Sequence, residues 1–522
     1  MAQAFQTIED VPSLYNAATG LLDHNIAAGR ADKPAYIDGR GAWTYAQLCD
    51  RVDRVAGLFQ ALGVEREQRV LLCLLDTIDF PAVFLGAIKA GVVPVVVNTL
   101  FGSDLYAFQL RDSRAQVAFV SDALAGKFEG LIDQCPDLKA VILTGDGPGQ
   151  LDSLLESGSP LNQAAATHRD EPAFWLYTSG STGDPKGVVH SHASLQLTAD
   201  LYGKPVAGFC ENDTVFSVAK MFFAYGLGNS LTFPLSVGAT TVLLEGRQTP
   251  EVCSRIICEY GVTMLTAAPT FFAALLDYPD CPTKEQAPRL RGCTSAGEAL
   301  PETIAERFLD RFGVWIMDGL GSTEMLHIFI SQLPDAKKAG CTGKPVPGYE
   351  ARLIDDSGAI AGDGVIGELQ VRGPTAALCY WNNRPKTVRT FLGEWTRTGD
   401  KYVRDREGFY RYSGRSDDML KVSGIYVSPF DVEEALVGHD AVLEAAVVGW
   451  ADKDGLIKPK AFVVRAMGVE HSDEDLEIML RAHVKAIVAP HAYPRWIEFI
   501  AELPKTATGK IQRFRLRQSL DV

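Results

Sequence analysis

Residues 177–187 read YTSGSTGDPKG, and the first of them, Tyr177, is the last residue of the apolar run AFWLY. An apolar run of this kind predicts a buried strand. The segment after it concentrates glycine and hydroxyl side chains around one lysine, Lys186, and a core strand would leave those polar groups without partners. The segment therefore predicts a polar loop at the end of a buried strand, which is where open α/β sheets bind ligands.

The composition of this loop suits an anion such as phosphate. Glycines let backbone N–H groups approach an anion closely, and Lys186 adds a positive charge. Gly187 follows the lysine, so the loop is not a Walker loop, and the next residues, GVVH, predict a second strand instead of a helix. Hydroxyl donors would replace the missing helix dipole; they are Thr178, Ser179, Ser181 and Thr182. Taken alone, the loop is also typical of a Ser/Gly-rich surface turn.

Length, charge and cysteine content restrict the class of protein. A chain of 522 residues is too long for one core, so we expect two or more domains. The net charge of −15 argues against a general nucleic-acid or anionic-membrane surface. The ten cysteines include no CxxC pair, and the start MAQAFQTIED lacks the features of an export signal. We therefore expect reduced thiols and a cytoplasmic location.

Two series of apolar strands alternate with helices. The first begins at Gln68 and includes VLLCLL, a helical stretch over residues 77–90, VVPVVV, VAFVS and AVILTG. Its most apolar window, residues 80–101, predicts an amphipathic helix followed by a buried strand, because glycine, lysine and proline interrupt it. The second begins near Ala239 with ATTVLLEG, VTMLTAAP, GCTSAGE and VWIMDGLG. This alternation predicts two parallel, doubly wound sheets.

The last third of the chain has a different pattern. After Ala351, short alternating strands with glycine-rich turns predict a β-rich, antiparallel part of the large domain. A compact α+β unit follows, in which Ser428 and Ser472 have the spacing of helix N-caps. We therefore divide the chain into a large domain, residues 1–416, and a small one, residues 417–522.

Six segments together resemble the acyl-adenylate-forming enzymes, a superfamily that includes acyl-CoA synthetases, nonribosomal adenylation domains and firefly luciferase. They are YTSGSTGDPKG, SAGEAL (295–300), GSTE (321–324), RTGD (397–400), GRSDDMLKVSG (414–424) and PKTATGK (504–510), in the order that the family has them. The resemblance spans nearly the whole chain. It implies that a carboxylate attacks the α-phosphate of ATP, giving acyl-AMP and pyrophosphate, after which a thiol such as CoA displaces AMP.

The resemblance assigns the nucleotide to named residues. It implies that the loop holds the β- and γ-phosphates through Thr178, Ser179, Gly180, Ser181, Thr182, Gly183 and Lys186. Glu324 would bind Mg²⁺, Thr323 would bond the α-phosphate beside Ser322, Gly297 and Glu298 would lie along adenine, and Asp400 and Arg415 would reach the ribose. Leu320 replaces the aromatic residue that stacks on adenine in many relatives. Without their motifs, Glu324, Asp400 and Arg415 would be interpreted as surface charges.

The small domain of the family rotates between the two steps. Lys510, in the basic tail KTATGKIQRFRLR, matches the lysine that contacts the carboxylate and the α-phosphate during adenylation. Asp417 matches the hinge, and Gly424 matches a glycine beside the pantetheine tunnel. A solvated basic terminus and an ordinary Asp turn are the alternatives for Lys510 and Asp417. Acetylation of Lys510 by a lysine acetyltransferase would remove the charge needed at the phosphate.

The acyl pocket is predicted from KMFFAYGLG (220–228) and from MLHIF after Glu324, which resemble benzoate- and hydroxybenzoate-CoA ligases. Phe223, Ala224, Tyr225, His327 and Ile328 would border the ring of an aryl acid. His327 could instead be a satisfied core histidine, and the aromatic run could be packing. Benzoate is favoured over 4-hydroxybenzoate because the segment offers no obvious partner for a ring hydroxyl.

Other functions with the same motifs stay open. They are a ligase for hydroxybenzoate or another acid, an adenylation enzyme that loads a carrier protein, and a luciferase-like oxygenase. The chain ends soon after Lys510, so no fused carrier is expected. An inactive regulator would be expected to lose Lys510 or Glu324, and both are present. The sequence does not predict the oligomeric state.

Overall fold

The computed structural model describes residues 4–178, 185–415, 418–422, 425–452, 456–466, 468–469, 471–488, 492–505 and 511–518. Within these residues the protein has a large α/β part and a small α+β part, as the sequence predicts. The predicted boundary between residues 416 and 417 lies outside the described residues and stays a prediction.

The first sheet has seven strands and is mostly parallel. In spatial order they are Cys379–Tyr380, Lys186–Ser191, Pro172–Thr178, Val93–Val96, Arg69–Cys73, Val117–Val120 and Ala140–Leu143. The strand Lys186–Ser191 pairs antiparallel with both of its neighbours, and the other described pairings in this sheet are parallel. Val70 and Leu72 belong to one core cluster and Leu71 and Cys73 to another, so both faces of the sheet are covered. This is the expectation for a doubly wound sheet with apolar strands.

The second sheet has nine strands with a parallel centre. In spatial order they are Lys344–Pro345, Ile328–Ser331, Ile316–Gly321, Gly292–Ser295, Met264–Ala267, Thr214–Ser217, Thr240–Val242, Pro34–Asp38 and Gly41–Thr44. The last three strands of the series predicted from Ala239 lie side by side and parallel, in the order in which they occur along the chain. Their carboxyl ends therefore meet at one edge, which is where the acidic segments at 297–298 and 322–324 lie.

The third sheet is antiparallel, as its glycine-rich turns predict. It contains Glu350–Ile354, Ile366–Arg372, Phe391–Leu392, Trp395–Arg404 and Tyr410–Arg415. The small part contains the two-stranded sheet Leu420–Val422 and Ile425–Val427 and the three-stranded sheet Val442–Ala451, Ile457–Arg465 and Trp496–Phe499.

Helices cover these sheets. The α-helices in the described residues are Ala17–Ala27, Tyr45–Ala61, Asp79–Ala90, Ser103–Ser113, Leu131–Gln134, Leu151–Ser157, His192–Thr198, Ala224–Leu227, Phe233–Val237, Pro250–Glu259, Pro269–Leu276, Glu302–Phe312, Arg384–Thr390, Pro429–Val437, Asp473–Ile487 and Arg513–Gln518. Shorter 3₁₀ or π turns are Ile8–Asp10, Asp122–Lys127, Ala199–Gly203, Gly228–Thr232 and Thr323–Met325. The predicted caps are present, since Ser428 accepts from the Asp431 N–H and Ser472 from the Asp475 N–H.

One helix differs from its prediction. Asp79–Ala90 is buried at every position from Asp79 to Ile88, whereas the sequence predicts an amphipathic helix. It packs against the helices Tyr45–Ala61 and Ala17–Ala27 and against the strands Arg69–Cys73 and Val93–Val96. The Lys89 ammonium near its end pairs with Asp53. Across the described residues, none of the helices has the length and apolar character needed to cross a bilayer.

Candidate active site

A cleft of about 1620 Å³ opens where the large and small parts meet. Its walls include the ends of the second sheet, the third sheet and the small part, which contributes Glu433, Lys505 and Arg513 among others. The cleft therefore lies at the carboxyl ends of parallel strands, as expected for an open α/β sheet.

The loop predicted to hold phosphate begins and ends at this cleft. Thr178 and Lys186 are opposite partners in the antiparallel pair formed by Pro172–Thr178 and Lys186–Ser191, and both line the cleft. This confirms that the loop joins two strands. The predicted donors Ser179, Gly180, Ser181, Thr182 and Gly183 lie outside the described residues.

A tight turn at residues 322–325 presents the predicted acid. The Ser322 side chain accepts a hydrogen bond from the Met325 N–H at 3.3 Å, and Ser322, Thr323 and Glu324 all line the cleft. The Tyr380 hydroxyl donates to Glu324 Oε1 at 2.6 Å. Burial and the Glu324 charge both raise the pKa of Tyr380, so the phenol keeps its proton.

A buried histidine holds the backbone of the same turn. His190 Nε2 lies 2.7 Å from the carbonyl oxygen of Thr323. Burial lowers the pKa of His190 to about 4, so the ring is neutral at physiological pH. Because a carbonyl can only accept, the neutral ring must carry its proton on Nε2. Tyr380 and His190 are functional candidates that the sequence did not identify.

Asp400 and Arg415 are brought together by strand register. They are opposite partners in Trp395–Arg404 and Tyr410–Arg415, and Arg415 Nη1 donates to Asp400 Oδ1 at 2.8 Å. The Asp400 side chain is 9% exposed and that of Arg415 43%. The Asp400 charge raises the pKa of Arg415. The two residues predicted to reach one ribose therefore form one charged unit in the cleft wall.

Gly297, Glu298 and Leu320 line the same cleft. Gly297 has φ of +98°, a conformation that suits glycine.

Asp318 is a further residue that lines the cleft, and the sequence did not identify it as functional. Its side chain is buried, and its Oδ1 has no hydrogen-bond partner among the described residues. Burial raises the pKa of Asp318 to about 8. An acidic residue inside the apolar strand VWIMDGLG was the sequence signal that could have identified it.

The residues predicted to border the acyl group come from two segments that meet. His327 Nε2 donates to the Tyr225 carbonyl at 3.2 Å, and the two rings lie 5.4 Å apart. Burial lowers the pKa of His327 to about 3, so this ring is also neutral. The Tyr225 hydroxyl is paired with Thr294 Oγ1 at 2.7 Å.

These acyl residues do not line the cleft described above. Phe223 and Ala224 are partly buried, whereas Ile328 is buried at the start of its strand. The described lining of the cleft includes none of the five predicted acyl residues. His327 is buried and hydrogen-bonded at Nε2, while its Nδ1 has no partner among the described residues.

The predicted catalytic lysine Lys510, the hinge Asp417 and the tunnel glycine Gly424 all lie outside the described residues. The chain on either side of Lys510 is described at Lys505 and Ile511, which form an isolated β-bridge and both line the cleft. The small part also contacts the large part directly, because Arg411 Nη1 pairs with Asp431 Oδ1 at 2.9 Å.

Comparisons with known proteins extend over almost the whole chain. Residues 23–381 match the AMP-binding enzyme family, and residues 431–510 match the AMP-binding enzyme C-terminal domain. The chain is 54% identical to a benzoate–CoA ligase of Thauera aromatica, with 98% of this chain and 97% of the relative covered. A crystal structure of a benzoate CoA ligase from Burkholderia xenovorans LB400 is similar to this chain, with a TM-score of 0.90 and 50% sequence identity. The match covers 97% of this chain and 100% of that chain.

A further solved structure contains an adenylate. It is the anthranilate CoA ligase AuaEII in complex with anthranoyl-AMP, 40% identical to this chain, with a TM-score of 0.94 and 98% of each chain covered.

Proposed function

The chain belongs to the AMP-binding enzyme family, and on this premise we propose that it is an ATP-dependent aryl acid–CoA ligase with benzoate as its preferred acid. It would convert acid, ATP and CoA to aryl-CoA, AMP and diphosphate through an acyl-adenylate. The observation that carries the proposal is one cleft that unites both ends of the 177–187 loop, the Glu324 turn and the Asp400–Arg415 pair.

The chemistry explains why these groups are needed together. A carboxylate is a poor electrophile because its charge is delocalised and oxide cannot leave. Its attack on the α-phosphate of ATP builds negative charge on phosphate oxygens, so positioned cations and N–H donors are the main source of rate enhancement. Lys186 and the loop donors would hold the departing diphosphate, and Thr323 would bond the α-phosphate.

The residues of the cleft fit a Mg²⁺ ion that arrives with ATP. Mg²⁺ is usually bound through one or two carboxylates together with water and substrate phosphates. Glu324 lines the cleft and supplies a carboxylate. Tyr380 orients this carboxylate by a hydrogen bond to one of its oxygens. When bound, Mg²⁺ would neutralise triphosphate charge.

The nucleoside would lie between the second and third sheets. Asp400 would accept from the ribose hydroxyls, with Arg415 held beside it. Gly297 and Glu298 would run along adenine, and Asp318 offers an unpartnered carboxyl oxygen in the same wall. Leu320 would give adenine an apolar contact in place of an aromatic ring.

The preference for benzoate is supported by the acyl residues and by the relatives. Phe223, Ala224, Tyr225, His327 and Ile328 would form a flat, mainly apolar slot. The Tyr225 hydroxyl already pairs with Thr294, so one of its hydrogen-bonding positions is occupied before any substrate binds. Two of the similar proteins reported above are benzoate CoA ligases.

We further propose that the small domain, residues 417–522, turns between the two half-reactions. Lys510 would contact the carboxylate and the α-phosphate during adenylation. Rotation about Asp417 would then bring Gly424 to the thiol of CoA. The positions of Lys505 and Ile511 at the cleft support this role for the lysine between them.

The test is acid-dependent exchange of pyrophosphate into ATP, followed by CoA-dependent release of AMP. The panel should contain benzoate, 4-hydroxybenzoate, 2-aminobenzoate, acetate and octanoate, with a no-acid control. We expect exchange to be fastest with benzoate and AMP release to need CoA. Exchange without any CoA-dependent thioester would instead favour a carrier-loading enzyme, and light or oxidised product with a luciferin would favour an oxygenase. No exchange with any acid would overturn the proposal.

Two cellular properties complete the proposal. We place the enzyme in the cytoplasm and expect acetylation of Lys510 by a lysine acetyltransferase to inhibit adenylation by removing the ammonium charge. Mass spectrometry of protein isolated from cells with abundant energy supply checks this. Lys510 that is unmodified under all growth conditions would contradict the regulatory part alone.

A further inference from the structure

The turn that carries Glu324 is held by two side chains from a different sheet. Glu324 follows the strand Ile316–Gly321 of the second sheet, whereas Tyr380 and His190 lie in the first sheet. Their strands, Cys379–Tyr380 and Lys186–Ser191, are hydrogen-bonded neighbours, with Tyr380 opposite Val188. The two contacts therefore join one sheet to the functional edge of the other.

Tyr380 orients the carboxylate of Glu324 through a hydrogen bond. Its hydroxyl donates to Glu324 Oε1 at 2.6 Å, and its side chain is buried against Phe391. The backbone beside it is fixed too, because the Ala377 N–H donates to the Glu324 carbonyl at 2.8 Å. One oxygen of the carboxylate is thus oriented, and the carboxylate lies in the cleft wall.

His190 holds the backbone of the same turn through a hydrogen bond to Thr323. It is fully buried and stacks on its cross-strand partner Phe174 with ring centroids 5.3 Å apart. Its Nε2–H donates to the Thr323 carbonyl, while Nδ1 has no partner among the described residues. Burying an unpartnered polar atom costs free energy. An apolar side chain could fill the same space without that cost, so packing alone does not account for a histidine here.

The strand of His190 begins at the phosphate loop. Lys186 is its first residue and borders the loop, and His190 lies four positions further on, in contact with the turn. Because a strand is a stiff element, the same strand sets the position of the loop base and of Thr323.

We propose that Tyr380 and His190 are positioning residues for the metal–nucleotide complex. Tyr380 orients the Glu324 carboxylate toward the metal, and His190 fixes the Thr323 backbone in register with the phosphate loop. This inference rests on the proposed function, in which Glu324 binds Mg²⁺. Hydrogen bonds to a metal-binding carboxylate typically change metal affinity about 10–100-fold.

The first experiment uses Tyr380→Phe. Mg²⁺ is titrated in the presence of α,β-methylene-ATP, and nucleotide binding is measured by calorimetry, so the readout does not depend on catalysis. We expect the half-saturating Mg²⁺ concentration to rise at least about tenfold. Tyr45→Phe is the matched control, because Tyr45 is buried and its hydroxyl donates to the Ala239 carbonyl at 2.7 Å, in a different part of the fold. It should leave the Mg²⁺ dependence unchanged.

The second experiment separates a hydrogen bond from packing at His190. His190→Gln can donate from its amide at a similar reach, whereas His190→Met fills the space without donating. We expect His190→Met to weaken binding of the nucleotide analogue about tenfold and His190→Gln to restore most of it. Thermal melting of each variant establishes that it is folded.

The outcomes distinguish this inference from the proposed function. If wild-type enzyme shows acid-dependent exchange but Tyr380→Phe keeps the wild-type Mg²⁺ dependence, the positioning role of Tyr380 is wrong and the ligase function stands. Equal loss in His190→Gln and His190→Met would reject the role of His190. If the wild type shows no exchange with any acid, the proposed function itself fails.

Discussion

The proposed nucleotide site and the proposed acyl site of this protein, called here the nucleotide side and the acyl side, are built in different ways. On the nucleotide side, polar residues at strand ends are fixed by backbone register and by hydrogen bonds, as Asp400–Arg415 and Glu324–Tyr380 are. On the acyl side, His327 lies in a buried aromatic cluster, with its ring centroid 5.4 Å from Tyr202 and 4.6 Å from Phe233. Strand register and hydrogen bonds thus fix the positions of the polar side chains on the nucleotide side, and aromatic packing fixes the positions of the side chains on the acyl side.

This difference predicts that substitutions on the two sides have different effects on the kinetics. A change on the nucleotide side should slow adenylation of every acid by a similar factor. A change on the acyl side should alter the ranking of acids and leave the affinity for ATP unchanged. The predictions below test that division, beginning with the largest effect.

Lys510→Ala should reduce acid-dependent ATP–pyrophosphate exchange by about 10³-fold, because it removes a cation from the phosphate on which charge develops. The factor should be similar for benzoate and 4-hydroxybenzoate. Thioester formation from supplied benzoyl-AMP and CoA should persist, as measured by chromatography of benzoyl-CoA. Equal loss of both half-reactions would contradict the assignment of Lys510 to adenylation.

Gly228→Ala should act on the acyl side alone. A Cβ atom at this position would lie 2.3 Å from His327 Cδ2, so the imidazole must move. We expect kcat/KM for benzoate to fall about 10–100-fold while KM for ATP stays unchanged, since a misplaced methyl group changes acid recognition by about this factor. Steady-state kinetics with ATP and benzoate varied in turn check the division.

The control for this change is Gly39→Ala, where an added Cβ meets no atom within 4 Å. It should leave both constants unchanged. A parallel rise in KM for ATP in Gly228→Ala would break the separation of the two sides.

Asp318→Asn tests the electrostatics of the cleft wall and has the smallest effect. Burial raises the pKa of Asp318 to about 8, from an ordinary value of 3.8. Between these values the folded protein keeps a proton that the unfolded chain has lost, so this group makes the free energy of unfolding fall as pH rises, up to about 8. The amide of the variant does not titrate.

The free energy of unfolding of Asp318→Asn, minus that of the wild type, should therefore increase as pH rises from 6 to 8. The slope of the difference is at most about 1.4 kcal/mol per pH unit. Urea titrations followed by circular dichroism at matched pH values measure it. A difference that is flat across this range would show that Asp318 is ionised in the folded protein.

The sequence predicted those features that local patterns determine. The loop between two strands and the parallel strand series of the second sheet follow from apolar periodicity and turn residues, and the structure has both. The family resemblance implies that Asp400 and Arg415 both reach the ribose, and the strand register explains why the two residues lie close together.

The features that the sequence did not predict depend on long-range contacts. His190 is 133 residues from Thr323 and Tyr380 is 56 residues from Glu324, so no local pattern indicates either hydrogen bond. The helix Asp79–Ala90 was predicted as amphipathic because Lys89 and Gly86 interrupt its apolar run. Its burial comes from contacts with two other helices as well as with the first sheet, and periodicity within the segment does not encode such contacts.

The pairing of Thr178 with Lys186 has a consequence for engineering. Thr178 and Lys186, the two residues that flank the predicted phosphate loop, are opposite each other in one antiparallel ladder, so a segment grafted between them would have its ends at a fixed spacing. Grafting the corresponding segment from a homologue with a different preference among nucleoside triphosphates would change the residues between these two anchors and leave the ladder itself unchanged. Such chimaeras offer a way to retune the energy source of the reaction without redesigning the scaffold.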